Sequence, residues 1–75
     1  MSLLANVNEQ DHKVAGELQA GFLVGSVKNV GETVALVNGV PLASGEAKGY
    51  PFVGKGYNAI PFDPQGSILR VLEII

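Results

Sequence analysis

Residues 33–42 read TVALVNGVPL and carry the clearest hairpin signal in the chain. A run rich in β-branched residues ends at Asn38-Gly39, and both of these residues tolerate the positive φ angles of a type I′ turn. Val40-Pro41-Leu42 returns from the turn, and Pro41 restricts this segment to a sheet edge because proline donates no backbone hydrogen bond. The stretch therefore predicts two short antiparallel strands.

The rest of the chain is punctuated in the same way. Ten glycines and four prolines divide it into runs too short for most helices. These runs are rich in the apolar and aromatic residues that strands prefer. Strands are predicted at 14–18, 21–28, 33–37, 40–42, 48–53, 59–62 and 67–75, with a turn at Asp63-Pro64-Gln65-Gly66. We expect an all-β fold, a small antiparallel β-sandwich or partly open barrel of about seven short strands.

Length and patterning set the domain organisation. The chain has 75 residues, which allows one domain at most. Residues 1–12 show little periodic pattern, so we expect an N-terminal arm that is either loose or exchanged as a strand with a neighbour. Residues 13–75 are expected to form a single β domain.

Composition favours association. The chain has no Cys and one His (His12), so neither disulfides nor an obvious metal site can stabilise so small a domain. Charged residues make up 16% of the chain, against about 25% in ordinary domains, while 47% of the residues are apolar. A monomer would expose much of that apolar set, and large exposed apolar patches mark interaction sites. The alternative is a free monomer in which Gly and Ala inflate the apolar count.

The segment Ser67–Ile75 adds to this expectation. Alternation places mostly apolar side chains on both faces, which is typical of a strand covered on both sides. A helix is the alternative, but Ile and Val dominate the segment. We expect another subunit to cover the second face of this strand. The C-terminal strand would contribute to that interface either Leu69, Val71 and Ile75 or the residues of its opposite face.

Most of the aromatic residues lie between residues 50 and 62. Tyrosine is favoured at interfaces because it combines a large apolar face with a polar tip. Core packing, a subunit interface and a ligand platform are all open readings of this cluster. We include Tyr50, Phe52 and Tyr57 in the predicted interface.

Several function classes are disfavoured. The net charge is −2 and the basic residues are scattered, which argues against nucleic-acid binding. No run of about 18 apolar residues or signal-peptide core occurs, so we expect a soluble chain without a membrane segment.

Two motifs resemble a binding or catalytic site, but neither has the sequence context that such a site needs. Residues 49–55 match the spacing of a phosphate-binding loop, yet Gly56 follows in place of Ser or Thr and no helix can start there. Asp11 and His12 are neighbours, and neighbours on a strand point to opposite faces. We expect no catalytic residue, no cofactor and no metal, hence a protein that is not an enzyme.

From about Val27 to Ile75 the order of features resembles small β-rich accessory proteins of tailed-phage particles, such as head-decoration or fibre-base modules. The residues that carry the resemblance are Asn29-Val30-Gly31, Val37-Asn38-Gly39-Val40-Pro41-Leu42, Ser44-Gly45-Glu46 and Ile60-Pro61-Phe62-Asp63-Pro64-Gln65-Gly66. The resemblance implies a structural role in a virion, commonly as a symmetric trimer with other virion proteins as partners. It transfers no individual functional residue.

The expected function is therefore that of a non-enzymatic structural protein that self-associates, plausibly on a phage virion. The alternative is a small carbohydrate-binding module that uses Tyr50 and Tyr57. A third hypothesis is an enzyme subunit whose site, shared between chains, would include Asp11 and His12.

Overall fold

The alternation of short apolar runs and turns produces eight β-strands in the computed structural model, which describes residues 4–75. The strands are β1 (Val7–His12), β2 (Gly16–Leu18), β3 (Val24–Asn29), β4 (Ala35–Val37), β5 (Val40–Leu42), β6 (Ala47–Tyr50), β7 (Ile60–Asp63) and β8 (Leu69–Ile74). They form two four-stranded sheets, with strand order β1-β8-β3-β6 in sheet I and β2-β7-β4-β5 in sheet II. All pairings are antiparallel, so the predicted all-β sandwich class is confirmed.

The eighth strand comes from the expected N-terminal arm. Residues 7–12 pair with β8 of the same chain along their whole length, from Val7 opposite Ile74 to His12 opposite Leu69. Because every residue of β1 has a partner in β8, this segment is an edge strand of sheet I within its own chain. The part of the expected arm at residues 1–3 lies outside the described residues.

The hairpin between β4 and β5 has the predicted geometry. Asn38 has φ 54° and Gly39 has φ 75°, as a type I′ turn requires, and Val37 lies opposite Val40. Pro41 lies on β5, which is an edge strand of sheet II. The predicted hairpin is confirmed in its turn and in its position at an edge.

This turn gives a direct stability prediction. A Cβ added at Gly39 would meet no atom within 4 Å, so Gly39→Ala is strained only by its positive φ. We expect the substitution to lower the free energy of unfolding by about 1–2 kcal/mol. Urea denaturation would measure the change. Gly49→Ala is the matched control, because Gly49 also faces open space but has no positive φ. Equal effects of the two substitutions on the free energy of unfolding would contradict the assignment of a positive φ to Gly39.

The turn before β8 differs from the prediction by one residue. Gln65 (φ 51°) and Gly66 (φ 85°) occupy its centre, and the Ser67 amide donates to the Pro64 carbonyl oxygen at 2.9 Å. Both central φ angles of this turn are positive, and Pro64 cannot take a central position in such a turn because its ring fixes a negative φ. Asp63 ends β7 and accepts a hydrogen bond from the Gln65 amide at 3.1 Å. The predicted turn is therefore displaced to Pro64–Ser67.

The core lies between the two sheets. Its buried apolar members are Leu18, Phe22, Val27, Ala35, Val37, Leu42, Ile60, Phe62, Leu69 and Val71. Leu69 and Val71 are 0% and 2% exposed, so they pack inside their own chain. The pairing of β8 with β3 turns this face of the strand towards sheet II, so both residues lie in the core and not on the outer surface of the sheet.

A buried polar side chain connects the loops at one end of the sandwich. Asn29 is fully buried, and its Nδ2 donates to the carbonyl oxygens of Thr33 and Leu42, at 2.8 Å each. Its Oδ1 accepts from the Gly31 amide at 3.1 Å and from Ser67 Oγ at 2.6 Å. Every hydrogen-bonding position of the amide is used. We call these five residues the Asn29 network.

Candidate functional site

The outer face of sheet I is apolar at one end and charged at the other. Residues directly opposite one another in neighbouring strands share a face. One row across β1, β8 and β3 consists of Val7, Ile74 and Val24, and Leu72 lies in the next row. Val7 is 60% exposed and the other three are half-buried. We call these four residues the apolar end of sheet I.

The charged end of this face contains an ion pair between β1 and β8. Arg70 Nε donates to Asp11 Oδ1 at 2.9 Å, and Nη2 lies 3.3 Å from Oδ2. The hydrogen bond from Arg70 lowers the pKa of the Asp11 carboxyl, and the same bond raises the pKa of Arg70. The contribution of the pair is present above the ordinary carboxyl pKa and is lost as the pH falls through the lowered value. An exposed pair of this kind contributes little to stability, but its geometry favours the observed register.

The structure does not place the six predicted interface residues on one surface. Leu69 and Val71 are in the core, while Ile75 is 43% exposed just after β8. Phe52 is 61% exposed in the loop that follows β6, and Tyr50 and Tyr57 are half-buried. The opposite face of the C-terminal strand, which the sequence offered as the other choice, carries Leu72 and Ile74.

The aromatic cluster is a packing layer against the core. Tyr57 stacks on Phe22 with ring centroids 4.8 Å apart and an interplanar angle of 9°. Tyr50 meets Tyr57 and Phe22 edge-on, at 5.7 and 6.1 Å. Phe22 covers one ring face of Tyr57, and Tyr57 Oη donates to the Pro51 carbonyl oxygen at 2.6 Å. The cluster thus holds the loop between β6 and β7.

Tyr50 differs from Tyr57 in its hydroxyl group. Its Oη is buried and has no hydrogen-bond partner among the described residues. Burial, with a smaller effect from Tyr57, raises the pKa of Tyr50. The phenol therefore stays protonated and packs as an apolar ring.

A polar groove lies between the free edges of the two sheets. Strand β1 borders sheet I, β2 borders sheet II, and both line a cavity of about 580 Å³. Its polar lining consists of Asn8, Glu9, Gln10, His12, Glu17, Gln19 and Glu73, and we call this cavity the β1–β2 groove. The backbone N–H of Gln19 donates to Glu73 Oε2 at 2.9 Å. This hydrogen bond connects the residue after β2 to β8. The sequence did not reveal this groove, because residues 7–12 lack the alternation of a strand and β8, which supplies Glu73, lies at the other end of the chain.

The motifs considered for catalysis are separated in space. Asp11 pairs with Arg70 on the outer face, whereas the His12 ring packs edge-on against Phe62, with centroids 4.9 Å apart. The prediction that these neighbours point to opposite faces is confirmed. Gly49 lies within β6, and no helix follows Lys55 in residues 4–75. In the same range, no group of three or more His, Cys, Asp or Glu residues is placed to hold a metal ion.

Known proteins add no further information about the site. No family model, curated protein or solved structure matches this chain. No helix in the described part of the chain is long and apolar enough to cross a membrane.

Proposed function

We propose that the chain is a non-enzymatic structural protein that associates with copies of itself through the apolar end of sheet I. The observation that carries the proposal is the second apolar face of β8. The inner face of this strand fills the core with Leu69 and Val71, and the outer face presents Leu72 and Ile74. An antiparallel sheet with one solvated face normally carries polar residues there.

The neighbouring strands extend this apolar surface. Val7 and Val24 flank Ile74 on either side in the same row. Burying apolar surface stabilises an interface by about 25 cal/mol per Å² before the costs of association. The charged end of the same face, with Asp11, Arg70 and Lys28, adds polar groups at the rim of the contact. An apolar centre with a polar rim is the usual composition of a specific interface.

The resemblance to phage accessory proteins supports a more specific role. If it extends to function, the assembly is a symmetric trimer on a virion, and other virion proteins are its neighbours. A cyclic trimer would join a surface of each copy to a different surface of the next, because three-fold contacts are heterologous. The apolar end of sheet I would then be one of two contact surfaces on each copy.

A matched pair of exposed valines tests the self-association. Val7 lies in the apolar end of sheet I and is 60% exposed, whereas Val40 lies on β5 of sheet II and is 49% exposed. Light scattering after size exclusion should show an oligomer for the wild type and for Val40→Lys at micromolar concentration. Val7→Lys should be a folded monomer, because a lysine at the contact must lose its hydration. A monomeric wild type, or dissociation by both substitutions, would refute the proposal.

A further inference from the structure

We propose that the β1–β2 groove binds a neutral, hydroxyl-rich ligand of saccharide size. The cavity of about 580 Å³ is within the range of small-molecule sites. The groove opens between the edges of the two sheets and shares only Val7 with the apolar end of sheet I. It differs from the surface of Tyr50 and Tyr57, neither of which lines it.

The inner face of β1 is unusual for a sandwich. Asn8, Gln10 and His12 lie opposite Glu73, Val71 and Leu69 of β8 and therefore share their inner face. Val71 and Leu69 are buried core residues, so the inner face of the sheet changes from apolar on β8 to polar on the neighbouring β1. An edge strand that served only to cover the core would carry apolar residues at these positions. Polar side chains here leave the sandwich open and line its opening.

The functional groups of the lining fit hydroxyl groups. Amide side chains both donate and accept hydrogen bonds, and three of them (Asn8, Gln10 and Gln19) line the groove. The carboxylates of Glu17 and Glu73 add acceptors. A hydroxyl group also donates and accepts, so a polyol can satisfy both kinds of partner.

Two of the lining groups are held in position and keep unused hydrogen-bonding capacity. The backbone N–H of Gln19 holds Glu73 through Oε2, and Oε1 of Glu73 has no partner among the described residues. The His12 ring is held against Phe62, and its nitrogens make no hydrogen bond within residues 4–75. Side chains that are oriented before binding lose less entropy when a ligand binds.

The same lining argues against anionic ligands. No lysine or arginine is among the described residues that line the groove, and the carboxylates of Glu9, Glu17 and Glu73 repel anions. Ammonium and guanidinium groups carry only donors, so they cannot satisfy the donor groups of the three amides. A neutral polyol is the ligand class that meets all of these groups.

The test follows backbone amide signals by NMR during titration of the isotope-labelled full chain. The probes are glucose, galactose, mannose, N-acetylglucosamine, maltose, cellobiose and lactose, with spermidine and inorganic phosphate as charged comparisons. We expect at least one saccharide to shift the signals of Asn8, Gln10, His12, Gln19 and Glu73 saturably, with a millimolar dissociation constant. Spermidine and phosphate should leave these signals unchanged.

Two variants test whether the saccharide binds in the β1–β2 groove. Asn8 and Gln10 are exposed, so the double variant N8A/Q10A should keep the fold and bind the saccharide at least tenfold more weakly. Asn58→Ala is the matched control, because Asn58 is an exposed amide outside the groove, and its binding should equal that of the wild type. The proposal is overturned if no saccharide gives a saturable shift, if the shifts centre on Tyr50 and Tyr57, or if only spermidine binds.

Discussion

Asn29→Asp is expected to destabilise the fold by about 3–5 kcal/mol at neutral pH, a large share of the stability of a domain this small. Aspartate has the shape of asparagine and keeps the oxygen that accepts from Gly31 and Ser67. Its second oxygen replaces Nδ2 and faces the carbonyl oxygens of Thr33 and Leu42, which now accept from Nδ2 at 2.8 Å each. Two hydrogen bonds become two repulsive contacts, and a negative charge is placed at a site with no solvent exposure.

The measurement is urea denaturation as a function of pH. Asn58→Asp makes the same change of charge at an exposed position and is expected to alter stability by less than about 0.5 kcal/mol. Burial raises the pKa of an introduced carboxyl, so the deficit of Asn29→Asp should shrink as the pH falls from about 7 to about 5. The stability deficit shrinks at low pH because the protonated carboxyl no longer carries the buried charge. A deficit equal to that of Asn58→Asp would show that the Asn29 network does not support the fold.

Gly31→Ala is expected to lower the free energy of unfolding by about 2–3 kcal/mol through overpacking. A Cβ at this position would overlap Ser67 Oγ and lie 2.5 Å from the Ile68 backbone nitrogen. Neither atom can move freely. Ser67 Oγ donates to Asn29 Oδ1, and the Ile68 carbonyl oxygen accepts from the Val30 amide at 2.9 Å. The methyl group must therefore displace backbone rather than a flexible side-chain tip.

Gly49→Ala again supplies the comparison. Gly49 lies in β6, and an added Cβ would find no atom within 4 Å. Alanine is there expected to be neutral or to stabilise slightly, because glycine in a strand loses more backbone entropy on folding. Both variants would be compared with the wild type by urea denaturation. Similar stabilities for the two variants would mean that the loop at Gly31 can relax away from Ser67.

Local signals in the sequence were sufficient for the elements that depend on local geometry. The type I′ turn at Asn38-Gly39 was predictable because only a few residues adopt positive φ readily. The two-faced character of β8 was also predictable from alternation alone. Which of its faces enters the core was not, because that choice depends on pairing with β1 and β3, which lie far away in the sequence.

The features missed by sequence analysis are polar. Strand β1 has no apolar alternation, and β8, the strand it pairs with, lies at the other end of the chain. Asn29 could not be identified as a buried residue, since its partners come from two separate loops and the end of β5. The β1–β2 groove is missed because β1 itself was not predicted as a strand of this domain. The fold class and the apolar character of β8 were therefore predictable from the sequence, while the positions of the polar groups depend on contacts made only in the folded chain.

The position of β8 has a consequence for synthesis of the protein. It lies between β1 and β3 in sheet I, so these two strands, although translated earlier, are not hydrogen-bonded to each other. Sheet I cannot close while residues 69–74 remain inside the ribosome. Until those residues emerge, the nascent chain exposes the edges of β1 and β3 and the core face of β3, and exposed strand edges and apolar surface favour aggregation.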